Sequence, residues 1–86
     1  MTYSIYGVWG GDYIRGKYLV GGFKTKDRAI ERGVEIMNTL SRNAKTKFEI
    51  VNNKTKKSVG WIRNGWMWEI GIYWEDLDGN VKLIMR

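Results

Sequence analysis

Seven basic side chains fall within residues 42–63: Arg42, Lys45, Lys47, Lys54, Lys56, Lys57 and Arg63, with Glu49 as the single acidic residue among them. The chain has a formal net charge of +6, and this block alone holds +6; residues 1–41 add +2 and residues 64–86 remove 2. The positive charge is therefore local, and a local excess of lysine and arginine attracts polyanions, above all phosphates. Charge alone would also suit a merely solubilising surface. What points further is the aromatic content beside it, with five Trp, five Tyr and two Phe in the chain. Basic groups interleaved with aromatic rings on a sheet hold single-stranded nucleic acid by phosphate contact and base stacking. Arg63 and Trp66 flank Asn64-Gly65, and across a tight turn a cation there would lie over an indole face.

Other chemistry is poorly provided for. The chain has no His and no Cys, so the usual nucleophile–base pairs and soft metal sites are missing. Asp76 and Asp78 stand in DLDGN, which lacks the spaced oxygens of a calcium loop and reads as turn chemistry. Glu69 and Glu75 lie on alternating strand positions, where carboxylates are usually solvated. GVWGGDYIRG has scattered glycines but neither a phosphate-loop pattern nor a following helix. The expectation is a binding protein, not an enzyme, with no cofactor and no metal.

At 86 residues the chain reads as one domain, 1–86. The stretch MTYSIYGVWGG lacks the basic segment and apolar run of a signal peptide. No apolar run approaches the ~20 residues of a membrane span. A soluble cytoplasmic protein is expected, with no membrane partner.

The elements that must position these groups follow from turn signals and periodicity. Residues 3–9 alternate as a first strand, with Tyr3, Ile5, Gly7 and Trp9 on one side and Ser4, Tyr6 and Val8 on the other. A glycine-rich loop leads to a second strand over 17–23, where Gly21-Gly22 predicts a bulge or bend. Lys26 to about Arg42 is the one helix, with Thr25 as N-cap, Asp27 in the first turn and Asn43 as its stop. Its stripe of Ala29, Ile30, Gly33, Val34, Ile36, Met37 and Leu40 is a core face, and Gly33 within it predicts close approach to a sheet. From residue 47 to 85 the turns predict a four-stranded antiparallel meander. A four-residue loop at 53–56 pairs Ile50 with Val59 and Phe48 with Trp61. Asn64-Gly65 as a two-residue turn pairs Trp61 with Trp68 and Val59 with Ile70. Asp78-Gly79 as a two-residue turn pairs Trp74 with Leu83 and Ile72 with Met85. In this register the tryptophan face is buried, and Ile62, Met67, Tyr73 and Ile84 share the opposite face as a semi-apolar patch.

The class predicted is α+β: a mostly antiparallel sheet of about five to six strands with one helix on one face, in the order β-β-α-β-β-β-β. Strand order 2-1-3-4-5-6 and a parallel crossover between the second and third strands both satisfy the connection rules. A helix of this length covers three or four strands, so sheet curling, the glycine-rich loop or another molecule must close the rest.

The functional expectation is a small binding protein whose basic block, with Trp66, engages a polyanion: nucleic acid, a nucleoprotein complex or a nucleotide ligand. In size and composition the chain is similar to small proteins carried by phages and other mobile elements, some of which block host defence systems. That likeness implies the alternative, an inhibitor or adaptor that binds a host protein through an aromatic sheet face. The Ile62, Met67, Tyr73 and Ile84 patch is the candidate surface for such a partner or for a homodimer.

Overall fold

The structure, a computed structural model, describes residues 2–10, 15–40, 46–65 and 70–85. Its elements are β1 (Tyr3–Gly10), β2 (Arg15–Phe23), α1 (Lys26–Thr39), β3 (Lys47–Asn52), β4 (Lys57–Asn64), β5 (Ile72–Asp76) and β6 (Val81–Met85). The strands form one antiparallel sheet in the order β2-β1-β3-β4-β5-β6. The expected α+β class and element order are found. Of the two strand orders left open, the chain takes the wholly antiparallel one.

The helix begins where the sequence says it should. Thr25 is extended, and its Oγ1 accepts the Arg28 backbone N–H at 3.2 Å, satisfying one of the orphan donors of the first turn. Ala29, Gly33, Val34 and Met37 are buried at helical spacing. They close over Ile5, Phe48, Ile50, Ile62 and Ile72 from four strands. Gly33 lets the helix come down on the sheet, since a Cβ there would run into Ile62 Cδ1. The helix packs on β1 to β5, one strand more than its length suggests, which needs the sheet to coil about it as twisted strands do. Every residue of β6 remains exposed. No helix among the described residues is long and apolar enough to cross a membrane.

The registers depart from expectation at three places, which together reverse β4 and shift β6 but leave Ile72 and Trp74 of β5 on the helix side as expected. The loop over residues 53–56 forms as expected: Lys56 N–H reaches Asn52 O at 2.7 Å, and Asn52 Oδ1 accepts the Lys54 N–H at 2.9 Å. Asn52 pairs with Lys57 and Val51 with Ser58, but the register then slips and Ile50 pairs with Gly60. Val59 is the extra residue of a bulge. Beyond it, Phe48 faces Ile62 rather than Trp61. The bulge lets Val59 and Ile62, three apart, both pack on the helix side, which strict two-residue alternation forbids. Gly60 permits it: its φ is +157°, and a Cβ would meet the Trp74 indole at 2.5 Å and Glu75 O at 2.7 Å.

The second departure is at Asn64-Gly65, which is not a two-residue turn. Asn64 pairs with Ile72, Ile62 with Trp74 and Trp61 with Glu75, and Gly65 N–H bonds Gly71 O at 2.9 Å to close a longer connection. Trp61 stays on the face away from the helix, where the Val59 bulge puts it, while Ile62 shares the helix side with its cross-strand partner Trp74. Ile62 is therefore core, at 0% exposure, and not part of a surface patch.

The third is the β5–β6 turn, which has three residues rather than two. Asp76 N–H bonds Asn80 O at 3.0 Å, and Gly79 takes φ +87°, the left-handed position that completes a three-residue hairpin. Asp76 Oδ1 accepts the Asp78 and Asn80 N–H groups at 2.9 and 3.0 Å. The backbone bond to Asn80 leads in holding the Asp76 carboxyl below its ordinary value, with smaller help from the Asn80 side chain and the Asp78 N–H. Trp74 now pairs with Lys82 and Tyr73 with Leu83, while Ile72 keeps Met85 through a second irregularity. Val81 and Leu83 thus join Tyr73 on the helix-free face. Ile84, together with Leu83, also lines a hollow with Ile30 and Trp74.

Candidate functional site

The helix covers one face of the sheet, and the other carries the interleaved aromatic and charged groups. Cross-strand pairing sets Leu19, Tyr6, Glu49, Trp61, Glu75 and Val81 in one row across all six strands. A parallel row carries Lys17, Val8 and Lys47, and on the neighbouring strands Arg63, Tyr73 and Leu83. Trp61, assigned to the core by the expected register, stands here because of the Val59 bulge.

Among the described residues, Tyr6, Trp61 and Tyr73 on this face each have a cation against the ring. Lys17 Nζ lies 4.5 Å from the Tyr6 ring centroid, Lys47 Nζ 6.0 Å from that of Trp61, and the Arg63 guanidinium carbon 5.4 Å from that of Tyr73. These are within the range at which a ring face attracts a cation. Carboxylates fix two of the three. Lys17 bonds Glu49 at 2.6 Å and Arg63 Nε bonds Glu75 at 3.2 Å, and Arg63 also donates to Asn64 O at 3.1 Å. The expected stacking of Arg63 on Trp66 lies outside the described residues, as Trp66 does.

The basic block divides. Lys47 and Arg63 stand near one another at one end of the face, where the pairing of Phe48 with Ile62 makes them neighbours. Lys54 and Lys56 occupy the turn at the opposite end, with Lys57 opening β4. Between the two ends runs β3, about 20 Å long at ~3.3 Å per residue. Lys17, from outside the block, is what sequence reasoning missed. The bulge in β2 between Leu19 and Gly21 puts it on this face beside Tyr6. Alternation of Lys17 and Leu19 read together with the Gly21-Gly22 signal was the available clue. Arg42, Lys45, Met67, Asn43 and Trp68 also lie outside the described residues.

A concavity of about 550 Å³ opens on this face near the Lys54–Lys56 turn, lined by Tyr6, Lys17, Glu49, Asn53, Lys56 and Ser58. The Glu49 side chain is only 11% exposed. Asn53 and Ser4 hydrogen-bond side chain to side chain at 2.9 Å. Ser58 Oγ is buried with no hydrogen-bond partner. No protein-family model, curated protein or solved structure matches the chain.

Proposed function

We propose that this chain is a non-catalytic binding protein whose helix-free sheet face and adjoining lysine turn hold single-stranded nucleic acid. One observation carries the reading: the uncovered face presents Tyr6, Trp61 and Tyr73, each with a cation beside its ring. Every base has a π face that stacks on an aromatic side chain, at about 1–3 kcal/mol per base. A base stacked on one of these rings brings its phosphates towards the neighbouring ammonium or guanidinium. Glu49 and Glu75 are each paired with a cation of the same face, which limits their repulsion of phosphate. Lys54, Lys56 and Lys57 are exposed at the end of the same sheet and extend the path of the backbone.

The test is salt dependence. Replacing Lys54, Lys56 and Lys57 with Ser removes three phosphate contacts, so the slope of log affinity against log salt on a single strand falls by about 2, at ~0.7 per contact. Trp61→Ala weakens binding without changing that slope. A triple variant that binds as wild type from about 50 to about 200 mM salt refutes the reading. A second reading, a host-protein inhibitor or adaptor docking through the sheet, is favoured by the exposure of Val81, Leu83, Ile84 and Met85 on β6. Apolar docking of that kind would show little dependence on salt over the same range.

A further inference from the structure

We infer that the concavity at the turn end of the helix-free face is a base-selective subsite that takes a guanine nucleotide of the bound strand. The inference rests on the nucleic-acid reading above and adds a specificity that stacking and phosphate contacts do not supply.

The walls make three separate demands on a ligand. The Tyr6 ring, with Lys17 over it at 4.5 Å, is a flat apolar wall that suits a planar ring. The Glu49 carboxylate is an acceptor held in place: Lys17 takes Oε1 at 2.6 Å, and an ionised carboxylate has about four lone-pair sites in all. It therefore calls for N–H donors. Lys56, fixed in the turn at φ +61° and exposed, sets a positive charge at the rim and calls for an anion. A planar ring with an N–H edge and a phosphate attached is a nucleotide. At about 550 Å³ the space lies within the ~300–1,000 Å³ usual for small-molecule sites.

Ser58 gives an independent sign that this wall is built for a ligand. Its Oγ is buried and without a partner, although buried hydroxyls in folded proteins almost always find one. A hydroxyl both donates and accepts, so rotation of the Ser58 side chain towards the hollow would let a base edge or sugar complete the missing bond.

The carboxylate chooses among the bases. The Watson–Crick edge of guanine presents two adjacent donors, N1–H and the N2 amino group, which match the two oxygens of one carboxylate. Adenine and cytosine present one amino group next to an acceptor nitrogen. Thymine and uracil present one N–H between two carbonyl oxygens, which a carboxylate repels. Guanine should bind best and thymine worst.

The experiment uses the full chain and two fluorescently labelled single strands, oligo(dT) of about ten nucleotides and the same oligomer with one central dG, which cannot form a quadruplex within a strand. By anisotropy at low salt, the dG strand should bind roughly tenfold tighter or more, as expected for a bidentate base contact. Glu49→Gln should abolish the difference, read as the ratio of the two affinities within the variant, because Gln offers one donor and one acceptor in place of two acceptors. Ser58→Ala should weaken the dG strand selectively yet leave the melting temperature unchanged or raised, since it removes an unsatisfied hydroxyl; a merely structural serine would not shift base preference. Equal affinity of wild type for both strands overturns the guanine subsite and leaves the nucleic-acid reading standing. Retention of the preference in Glu49→Gln overturns it as well. Failure of both strands to bind at low salt overturns both proposals together.

Discussion

Truncating Ile62 and Trp61 separately tests the register reversal at the Val59 bulge. Ile62 is at 0% exposure and touches the helix at Gly33. Ile62→Ala removes three carbon groups, worth ~2.4 kcal/mol at ~0.8 kcal/mol each. The cavity adds to this when the surroundings cannot collapse. Here one wall is the helix backbone at Gly33 and the others are the buried side chains Phe48 and Ile72, so relaxation is limited. A total of about 3–4 kcal/mol follows, within the ~2–5 kcal/mol measured for such truncations. Against a domain stability of about 5–15 kcal/mol, that is a large share. At ~4–8 °C per kcal/mol for a domain of this size, the melting temperature should fall by at least about 12 °C. Trp61 is only half-buried, on the face with no helix, and its specific contact is Lys47 at 6.0 Å. Trp61→Ala should therefore cost about 1 kcal/mol, the central value for point substitutions in general. Thermal melts by circular dichroism and urea titrations of both variants measure the difference. If Trp61→Ala is the more destabilising, the tryptophan faces the helix, the bulge is misplaced, and the aromatic face proposed for binding loses its central ring.

The bulge itself can be probed at Gly60. Gly60→Ala forces a Cβ against the Trp74 indole and Glu75 O at a backbone φ of +157°, and should destabilise by about 1–3 kcal/mol; an unchanged urea midpoint would show that the position takes any residue. At the β5–β6 turn, Asp76 has a lowered pKa from its bonds to Asn80 and Asp78. A depressed folded-state value means that its contribution is full above the unfolded carboxyl value and is lost as pH falls from there through the lower folded-state value. Asp76→Asn should thus be less stable than wild type near neutrality and converge on it in acid, with the gap read from melts across that range; a gap independent of pH would assign the turn's stability to backbone bonds alone.

Much of the fold was legible from local rules. Thr25 as N-cap, the stripe from Ala29 to Met37, the loop over residues 53–56 and the order of seven elements each depend on neighbours in sequence, through capping, periodicity and turn chemistry. The basic block was equally visible, because charge counts need no geometry. The register of β4, β5 and β6 was not. Side chains alternate with a period of two, so one added residue reverses every face beyond it. Val59 was that residue in β4, the longer connection after Asn64 returned Ile72 and Trp74 of β5 to the expected side, and Leu77 in the β5–β6 turn shifted the pairing again. Whether a bulge forms depends on what lies above the strand. The helix sits close enough at Gly33 to accept Ile62 but not an indole, and no pattern within residues 57–64 carries that information. The sequence by itself determined the elements, the helix-facing stripe and the presence of a cationic, aromatic-rich surface. The tertiary structure alone decided that Trp61 stands on the open face, that Lys17 joins it from β2, and that Tyr6, Glu49 and Ser58 share one hollow. Those are contacts between residues up to about fifty positions apart, set by packing against a single helix rather than by any local preference.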